Sequence, residues 1–289
     1  MNPPVGTLPP VHRRQLLGLL AAGTVTAITG CTREPDPHPA AAPDPGAPTT
    51  TSAPLLPPPP PRDRRAPAPD GVLTKLPTPG PLLALTVDDG ADPDVVGAYI
   101  RFAEDTGARF TFFVTARYPG WIRHRDRLRP LVDSGQIQLG NHTWSHPDLT
   151  SLSQHAIADE LRRTHDFLHN TYGVDATPYY RPPFGYHNPT VDAVAADLGY
   201  THPTLWYGSL SDSGLITEDY LLQCAHRYFT AQAIVIGHAN FPPVTRVYPQ
   251  LVEIIRERGL SMVTLDDAIR PDPGTASSGV TSGTGIRAR

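Results

Sequence analysis

The chain of 289 residues has no excess of basic residues, only two cysteines and no long hydrophobic run. Its 24 Lys and Arg residues stand against 28 Asp and Glu residues, so a general nucleic-acid-binding protein is excluded on charge. Two cysteines cannot build a disulfide framework or a four-cysteine zinc site. The longest apolar run covers residues 16–28, which is too short to cross a bilayer core of about 30 Å.

The N-terminal 31 residues have the features of an export signal. Arg13 and Arg14 precede the apolar run, which ends in Ile-Thr-Gly-Cys at residues 28–31. Small residues before a cysteine resemble a lipobox, in which the cysteine sulfur is acylated. The arginine pair resembles a twin-arginine signal, and ordinary positive charge before an apolar run is the alternative. We expect an exported lipoprotein, anchored through Cys31 to the outer face of the cytoplasmic membrane.

Proline is concentrated in one part of the chain. Residues 32–81 contain 17 of the 35 prolines and little aliphatic content. Such a segment buries too little apolar surface to offset the entropy of ordering, and its prolines favour an extended spacer. We predict a disordered linker at residues 32–75 and a disordered tail, rich in Gly, Ser and Thr, at residues 271–289. Residues 76–270 are then the folded domain.

Within that domain, short apolar runs alternate with longer amphipathic patterns. Near-continuous apolar strands that are each followed by a helix indicate parallel strands buried on both faces. An α/β barrel and an open doubly wound sheet both fit this pattern. About 190 residues are few for an eight-stranded barrel of about 250, so we predict an α/β fold with a distorted seven-stranded barrel. The predicted strands are 82–87, 109–114, 136–140, 178–181, 203–207, 233–237 and 261–265. The predicted helices are 94–105, 123–133, 153–172, 189–198, 218–228 and 248–258.

Polar side chains capable of chemistry follow most of the predicted strands. In parallel α/β folds the site lies at the C-terminal ends of the strands, so these side chains are expected to meet at one rim. A single His pair or a pair of adjacent carboxylates would be weak evidence, but their convergence indicates a common site. The residues concerned are Asp88, Asp89, His142, His146, Arg181, Asp212 and His238.

These residue types fit a metal-dependent hydrolase. Two imidazoles, from His142 and His146, and one of the two aspartates form a catalytic zinc-type ligand set with an open position. The other aspartate can serve as general base for a water molecule. Arg181 could orient that base through a two-pronged contact, and His238 could protonate the leaving group.

Four segments together resemble the NodB-type polysaccharide deacetylases, carbohydrate esterase family 4, over about residues 80–270. They are Thr-Val-Asp-Asp-Gly at 86–90, His-Thr-Trp-Ser-His-Pro at 142–147, Arg-Pro-Pro-Phe-Gly at 181–185 and Ile-Gly-His at 236–238. The resemblance implies a distorted (β/α) barrel that removes N-acetyl or O-acetyl groups from a polysaccharide with a divalent metal, usually zinc.

The resemblance also implies a role for each residue. Asp88 would be the general base, His238 the general acid, and Arg181 the residue that holds Asp88. The metal ligands would be Asp89, His142 and His146, the Phe184 amide would stabilise the oxyanion, and Ile236 would line the acetyl pocket. The chain departs from the family where Asp212, expected to orient His238, is followed by Ser213 instead of Trp. One wall of the pocket is therefore expected to be missing.

The expected function is removal of acetyl groups from an acetylated glycan. The membrane anchor favours the N-acetyl groups of cell-wall peptidoglycan, and a chitin-like glycan or acetylated xylan is the alternative substrate. We expect a monomer with no nucleic-acid partner. The alternative is a non-catalytic metal- and glycan-binding lipoprotein of the cell envelope, which the Ser213 departure favours and the presence of both Asp88 and His238 opposes. A zinc peptidase would need a Glu beside the first metal-ligating His, where Thr143 stands.

Overall fold

The computed structural model describes residues 54–270, which form a curved sheet of short strands with helices packed on its outer side. The strands are β1 (Ala66–Pro67), β2 (Leu82–Asp89), β3 (Phe110–Val114), β4 (Ile137–Asn141), β5 (Tyr179–Tyr180), β6 (His202–Pro203), β7 (Gly208–Ser209), β8 (Ala233–His238), β9 (Ser261–Met262) and β10 (Ile269–Arg270). The helices are α1 (Pro93–Thr106), α2 (Gly120–Arg123), α3 (Arg125–Asp133), α4 (Gln154–Tyr172), α5 (Pro189–Asp197), α6 (Glu218–Tyr228), α7 (Tyr248–Glu257) and α8 (Leu265–Ala268).

The main sheet is parallel throughout. Its strand order is β6-β5-β4-β3-β2-β8-β7, and β9 pairs with the first residues of β2. Because every strand runs the same way, the C-terminal ends of β2, β4 and β8 meet at one rim. The predicted α/β class with a distorted barrel is confirmed.

Strand β2 shows why this rim carries polar groups. Successive side chains of a strand point to opposite faces, so the eight buried residues of β2 divide into two sets. One set packs against the helices and contains Leu83, Leu85 and Val87. Leu82 and Ala84 belong to a second, inner cluster that includes Phe113 and Ile234. The inner set continues with Thr86 and Asp88, which brings a carboxylate to the upper end of the barrel.

Residues 54–76, here called the strap, pack against the folded domain, although most of them were predicted to belong to the linker. Leu56 and Leu73 are buried, and Ala66 of β1 pairs with Ile269 of β10. Leu73 forms a parallel bridge with Thr204, and Lys75 forms an antiparallel bridge with Ala233. The prediction of disorder up to residue 75 is therefore wrong for residues 54–75. The high proline content led to a prediction of disorder, although a few leucines of this segment reach the core and some of its backbone groups pair with strands.

Three other predicted boundaries change. Of the predicted strand at 203–207, only Pro203 lies in a strand, β6, and residues 204–207 form the connection from β6 to β7. The predicted strand at 261–265 ends at Met262, since the Thr264 hydroxyl caps α8 in a capping box with Asp267. The predicted helix at 123–133 begins at Arg125 as α3, and a separate short helix, α2, precedes it and ends at Arg123. Boundaries depend on tertiary contacts as well as on periodicity.

The predicted signal, the lipobox at Cys31, the linker up to residue 53 and the tail at 271–289 lie outside the described residues. Cys224 lies on α6, where it is buried and free of a disulfide, as expected for a small core residue. Among residues 54–270, no helix combines the length and the apolar character needed to cross a membrane.

Candidate active site

Asp88 and Asp89 are the last two residues of strand β2. The chain then turns at Gly90, where there is no room for a side chain. Asp89 has φ 71° and Gly90 has φ 91°, both in the left-handed region. A Cβ atom at Gly90 would lie 2.3 Å from the Trp121 ring, whose Nε1 donates to the Asp89 carbonyl. The left-handed Asp89 breaks the alternation of the strand, so both carboxylates reach the rim.

Asp89 lies in a cluster of potential metal ligands with His142 and His146. Its Oδ1 is 3.4 Å from the Nε2 atom of each histidine, and the ligand atoms of the three residues lie within 4.8 Å of one another. The Asn240 amide donates to the other oxygen, Oδ2, at 2.6 Å. Within residues 54–270, Oδ1 is buried and has no hydrogen-bond donor. A buried carboxylate oxygen facing two imidazole nitrogens is the arrangement that a divalent cation satisfies, so these residues fit a metal site.

The tautomer of His142 follows from its contact with Arg181. Its Nδ1 lies 2.7 Å from the Arg181 carbonyl oxygen, which can only accept. Nδ1 therefore carries the proton in the neutral imidazole, and Nε2 offers its lone pair to the cluster. Metal-ligating histidines are commonly oriented through the other ring nitrogen in this way.

The electrostatics of the cluster favour a charged Asp89. Burial would raise the pKa of its carboxyl, but His142, His146 and the Asn240 amide outweigh burial and hold the pKa well below its usual value. Asp89 is therefore ionised over the whole range in which the protein would work.

The loop between the two histidines is held by helix α4. Glu160 accepts hydrogen bonds from the backbone amide and the hydroxyl of Ser145, at 2.8 and 2.7 Å. The amide of His146 donates to the Thr143 hydroxyl at 3.1 Å, and both residues have positive φ. These contacts maintain a left-handed backbone that would otherwise be unfavourable.

Arg181 is fully buried and holds Asp88. Its Nη1 donates to Asp88 Oδ1 at 2.5 Å and to the Thr86 hydroxyl at 2.9 Å. Nε donates to the carbonyl of Thr204 and Nη2 to that of Leu205. The predicted two-pronged contact is therefore wrong in its geometry, because one nitrogen contacts the carboxylate and the others contact backbone carbonyls. Arg181 still places a buried positive charge beside Asp88.

His238 is oriented by Asp212. His238 Nδ1 lies 2.9 Å from Asp212 Oδ1, and the His238 amide donates to Oδ2 at 3.2 Å. Burial would lower the pKa of His238, but the bond to Asp212 and the charge of Asp88 outweigh it and raise the pKa above its ordinary value. Since Nδ1 is engaged by Asp212, Nε2 is the atom free to transfer a proton.

These groups share one cleft of about 500 Å³. The lining includes Asp88, the ligand cluster, His238, and the predicted contact residues Phe184 and Ile236. Ser213 also lines the cleft, as does Trp206, so an indole contributes to a wall despite the missing tryptophan beside Asp212. The structure thus brings every predicted site residue within residues 54–270 to this rim.

Three contributors were not predicted. Asn240 lies two residues beyond His238, and its place just after a strand that ends at the rim could have marked it as a site residue. Trp206 was predicted to lie within a strand, and Glu160 was predicted only as part of an amphipathic helix, so neither was predicted to contribute to the site. No local pattern marks Glu160, because its partner Ser145 lies in another element.

Comparisons with known proteins agree with this geometry. A family model described as polysaccharide deacetylase matches residues 75–203. The match includes Asp88, Asp89, His142, His146 and Arg181, whereas Asp212 and His238 lie beyond it.

Two curated relatives carry deacetylase names. A chitin deacetylase of Arthroderma benhamiae is 28% identical over 220 residues, which cover 70% of this chain and 55% of the relative. A peptidoglycan-N-acetylmuramic acid deacetylase of Bacillus subtilis is 24% identical over 191 residues, which cover 63% of this chain and 69% of the relative. The chain thus spans about half the length of the fungal relative.

A solved structure has the same fold. It is a pseudoenzyme of carbohydrate esterase family 4 from Bacillus anthracis, with a TM-score of 0.60 and 20% identity over 71% of each chain. This likeness concerns the fold alone. The family match, the deacetylase relatives and the rim that unites Asp88 with the Asp89, His142 and His146 cluster agree on one conclusion: residues 75–203 of the chain match the polysaccharide deacetylase family.

Proposed function

We propose that this chain is a zinc-dependent deacetylase that removes N-acetyl groups from a cell-envelope glycan, either peptidoglycan or a chitin-like polymer. One observation carries the proposal. The cleft that contains the ligand cluster also contains a carboxylate, Asp88, and an imidazole, His238, each held by a separate partner. A hydrolase needs such a base and acid in addition to its metal ligands.

Asp89, His142 and His146 would hold the metal. When bound, a divalent cation supplies Lewis-acid polarisation of the substrate carbonyl and lowers the pKa of water. The imidazole and carboxylate donor set suits zinc.

Asp88 acts as the base in the first step. Arg181 occupies Asp88 Oδ1, so Oδ2 receives a proton from the water whose oxygen bonds to the acetyl carbon. The backbone amide of Phe184 would donate to the oxyanion that forms, and Ile236 would contact the acetyl methyl group.

His238 acts as the acid in the second step. Its Nε2 proton moves to the sugar nitrogen as the C–N bond breaks, which releases acetate and leaves a free amine. The carboxylate of Asp212 stabilises the protonated imidazole until that transfer. Exchange of protons with solvent then restores His238 and Asp88.

The glycan and the location are proposed from different observations. The names of the relatives support chitin and peptidoglycan as substrates. The predicted export signal and Cys31 support a lipoprotein at the outer face of the cytoplasmic membrane, where peptidoglycan is within reach, and we propose that it acts there as a monomer. A non-catalytic binding role has support from the fold likeness to a pseudoenzyme, but this chain keeps both Asp88 and His238.

Acetate release tests the proposal. The purified protein is incubated with acetylated peptidoglycan and with chitooligosaccharides, first with zinc and then with a chelator. We expect acetate from at least one substrate and its loss on chelation. Folded, zinc-loaded protein that releases no acetate would favour the non-catalytic role.

A further inference from the structure

Two exposed aromatic side chains stand beside the cleft on one loop. Phe184 and Tyr186 are 57% and 58% exposed, and Phe184 belongs to the cleft lining. Their ring centroids are 5.8 Å apart. The Phe184 ring also meets the His146 ring edge-on, with centroids 4.6 Å apart. Tyr186 therefore lies one ring further from the ligand cluster than Phe184.

The turn that presents Phe184 is closely supported. Phe184 has φ 61° and Gly185 has φ 73°, and the Gly185 amide donates to the Pro182 carbonyl at 3.0 Å. A Cβ atom at Gly185 would lie 3.2 Å from the Trp206 ring. A larger residue at 185 would therefore crowd the Trp206 ring and adopt a strained φ.

The far side of the loop is anchored by a histidine and an aspartate. His187 Nδ1 lies 2.9 and 3.0 Å from the two oxygens of Asp192 on α5. Asp192 also accepts the Tyr180 hydroxyl at 2.6 Å, and Asn188 caps the same helix. Tyr186 is therefore exposed on a loop that is fixed at both ends.

Exposed aromatic area on a fixed loop beside a cleft is characteristic of a ligand-binding surface. The C–H face of a pyranose ring packs on an aromatic face while its hydroxyl groups remain in water, and the Tyr186 hydroxyl adds a donor at the edge. A fixed ring loses little conformational entropy on binding.

We propose that Tyr186 is a stacking site for a sugar residue next to the one that loses its acetyl group, with Phe184 as the wall between the two positions. The inference rests on the proposed deacetylase function. It predicts a substrate of several linked sugars.

Chain-length dependence tests the stacking site. Acetate release from chitobiose and from chitopentaose is measured for the wild-type protein, Tyr186→Ala, Tyr186→Trp and the control Tyr220→Ala, which alters another exposed tyrosine, on α6. We expect the ratio of kcat/KM for the pentaose to that for the biose to fall about tenfold in Tyr186→Ala, chiefly through KM. Tyr186→Trp should restore the ratio, and Tyr220→Ala should keep it. A ratio unaltered by Tyr186→Ala overturns the stacking site.

A binding measurement separates this inference from the proposed function. Chitopentaose is titrated calorimetrically into zinc-loaded Asp88→Asn protein with and without Tyr186→Ala. Binding that weakens about tenfold supports the stacking site, even where the wild-type protein releases no acetate and the deacetylase proposal fails. Equal affinities, or no binding of the pentaose by either protein, overturn the stacking site.

Discussion

Asp88 and Asp89 are adjacent in the chain, and both lie near His142, but only Asp88 contacts Arg181. Asp88 Oδ1 accepts from Arg181 and its Oδ2 lies 3.5 Å from His142 Nε2, whereas Asp89 Oδ1 faces both His142 and His146. The difference arises from the left-handed backbone at Asp89, which follows the extended strand. Two identical side chains thus have different surroundings because of one backbone dihedral.

The two aspartates can be separated by mutation. Asp88→Asn should lower acetate release by at least about a hundredfold, because the base is lost, while zinc content stays near the wild-type value. His142→Ala should lose both zinc and activity. Zinc is measured by mass spectrometry beside turnover, and loss of zinc from Asp88→Asn would mean that the roles of the two aspartates are exchanged.

The pair of His238 and Asp212 predicts a pH effect. Asp212 raises the pKa of His238, and a general acid works only while it is protonated. Asp212→Asn should therefore lower that pKa and move the alkaline limb of the kcat/KM profile to lower pH. Asp192→Asn, which alters the second His–Asp pair at His187, is the matched control and should leave the alkaline limb in place.

At the scale of elements, the end of β2 depends on close contact between a turn and a ring. Gly90→Ala would place a Cβ atom 2.3 Å from Trp121 as well as strain a φ of 91°. We expect a loss of at least about 2 kcal/mol in the free energy of unfolding, measured by urea titration. Gly71→Ala tests the strain alone, since φ is 80° and no atom lies within 4 Å, and should cost about 1 kcal/mol. Equal losses in the two variants would argue against the contact.

The strap gives a second prediction at this scale. Leu73 is fully buried, whereas Leu55 is 52% exposed. Leu73→Ala should lower the free energy of unfolding by about 2–5 kcal/mol, and Leu55→Ala should change it by less than about 0.5 kcal/mol. Similar small values for both would show that the strap is dispensable to the domain.

The elements also show what can be predicted from sequence. The near-continuous apolar run of β2 and the periodicity of α1 and α4 are local patterns, so these elements and the rim residues that follow them were predictable. The irregular connection at residues 204–207 was not predictable, since the carbonyls of Thr204 and Leu205 accept hydrogen bonds from the distant Arg181. The order of the strap was not predicted, because its pairing partners lie far away in the sequence and the composition of a segment gives no information about such distant partners.

At the scale of the whole molecule, the anchor at Cys31 is a prediction. Cys31→Ala should move the protein from the membrane fraction to the soluble exported fraction, as judged by fractionation and immunoblotting. Cys224→Ala is the matched control, because the buried cysteine of α6 should not affect the distribution. A Cys31→Ala protein that remains with membranes would exclude lipidation as the anchor.

Because of the strap, the folded unit begins earlier in the chain than the segment that matches the family model. The family match starts at residue 75, yet the pairing of Leu73 with Thr204 lies before it. A chain truncated at the start of the match would leave backbone donors and acceptors unpaired beside β6 and expose the apolar contacts of the strap. Unpaired strand edges bind the edges of other copies, so such a chain would be prone to aggregation in a way that its intact catalytic residues would not reveal.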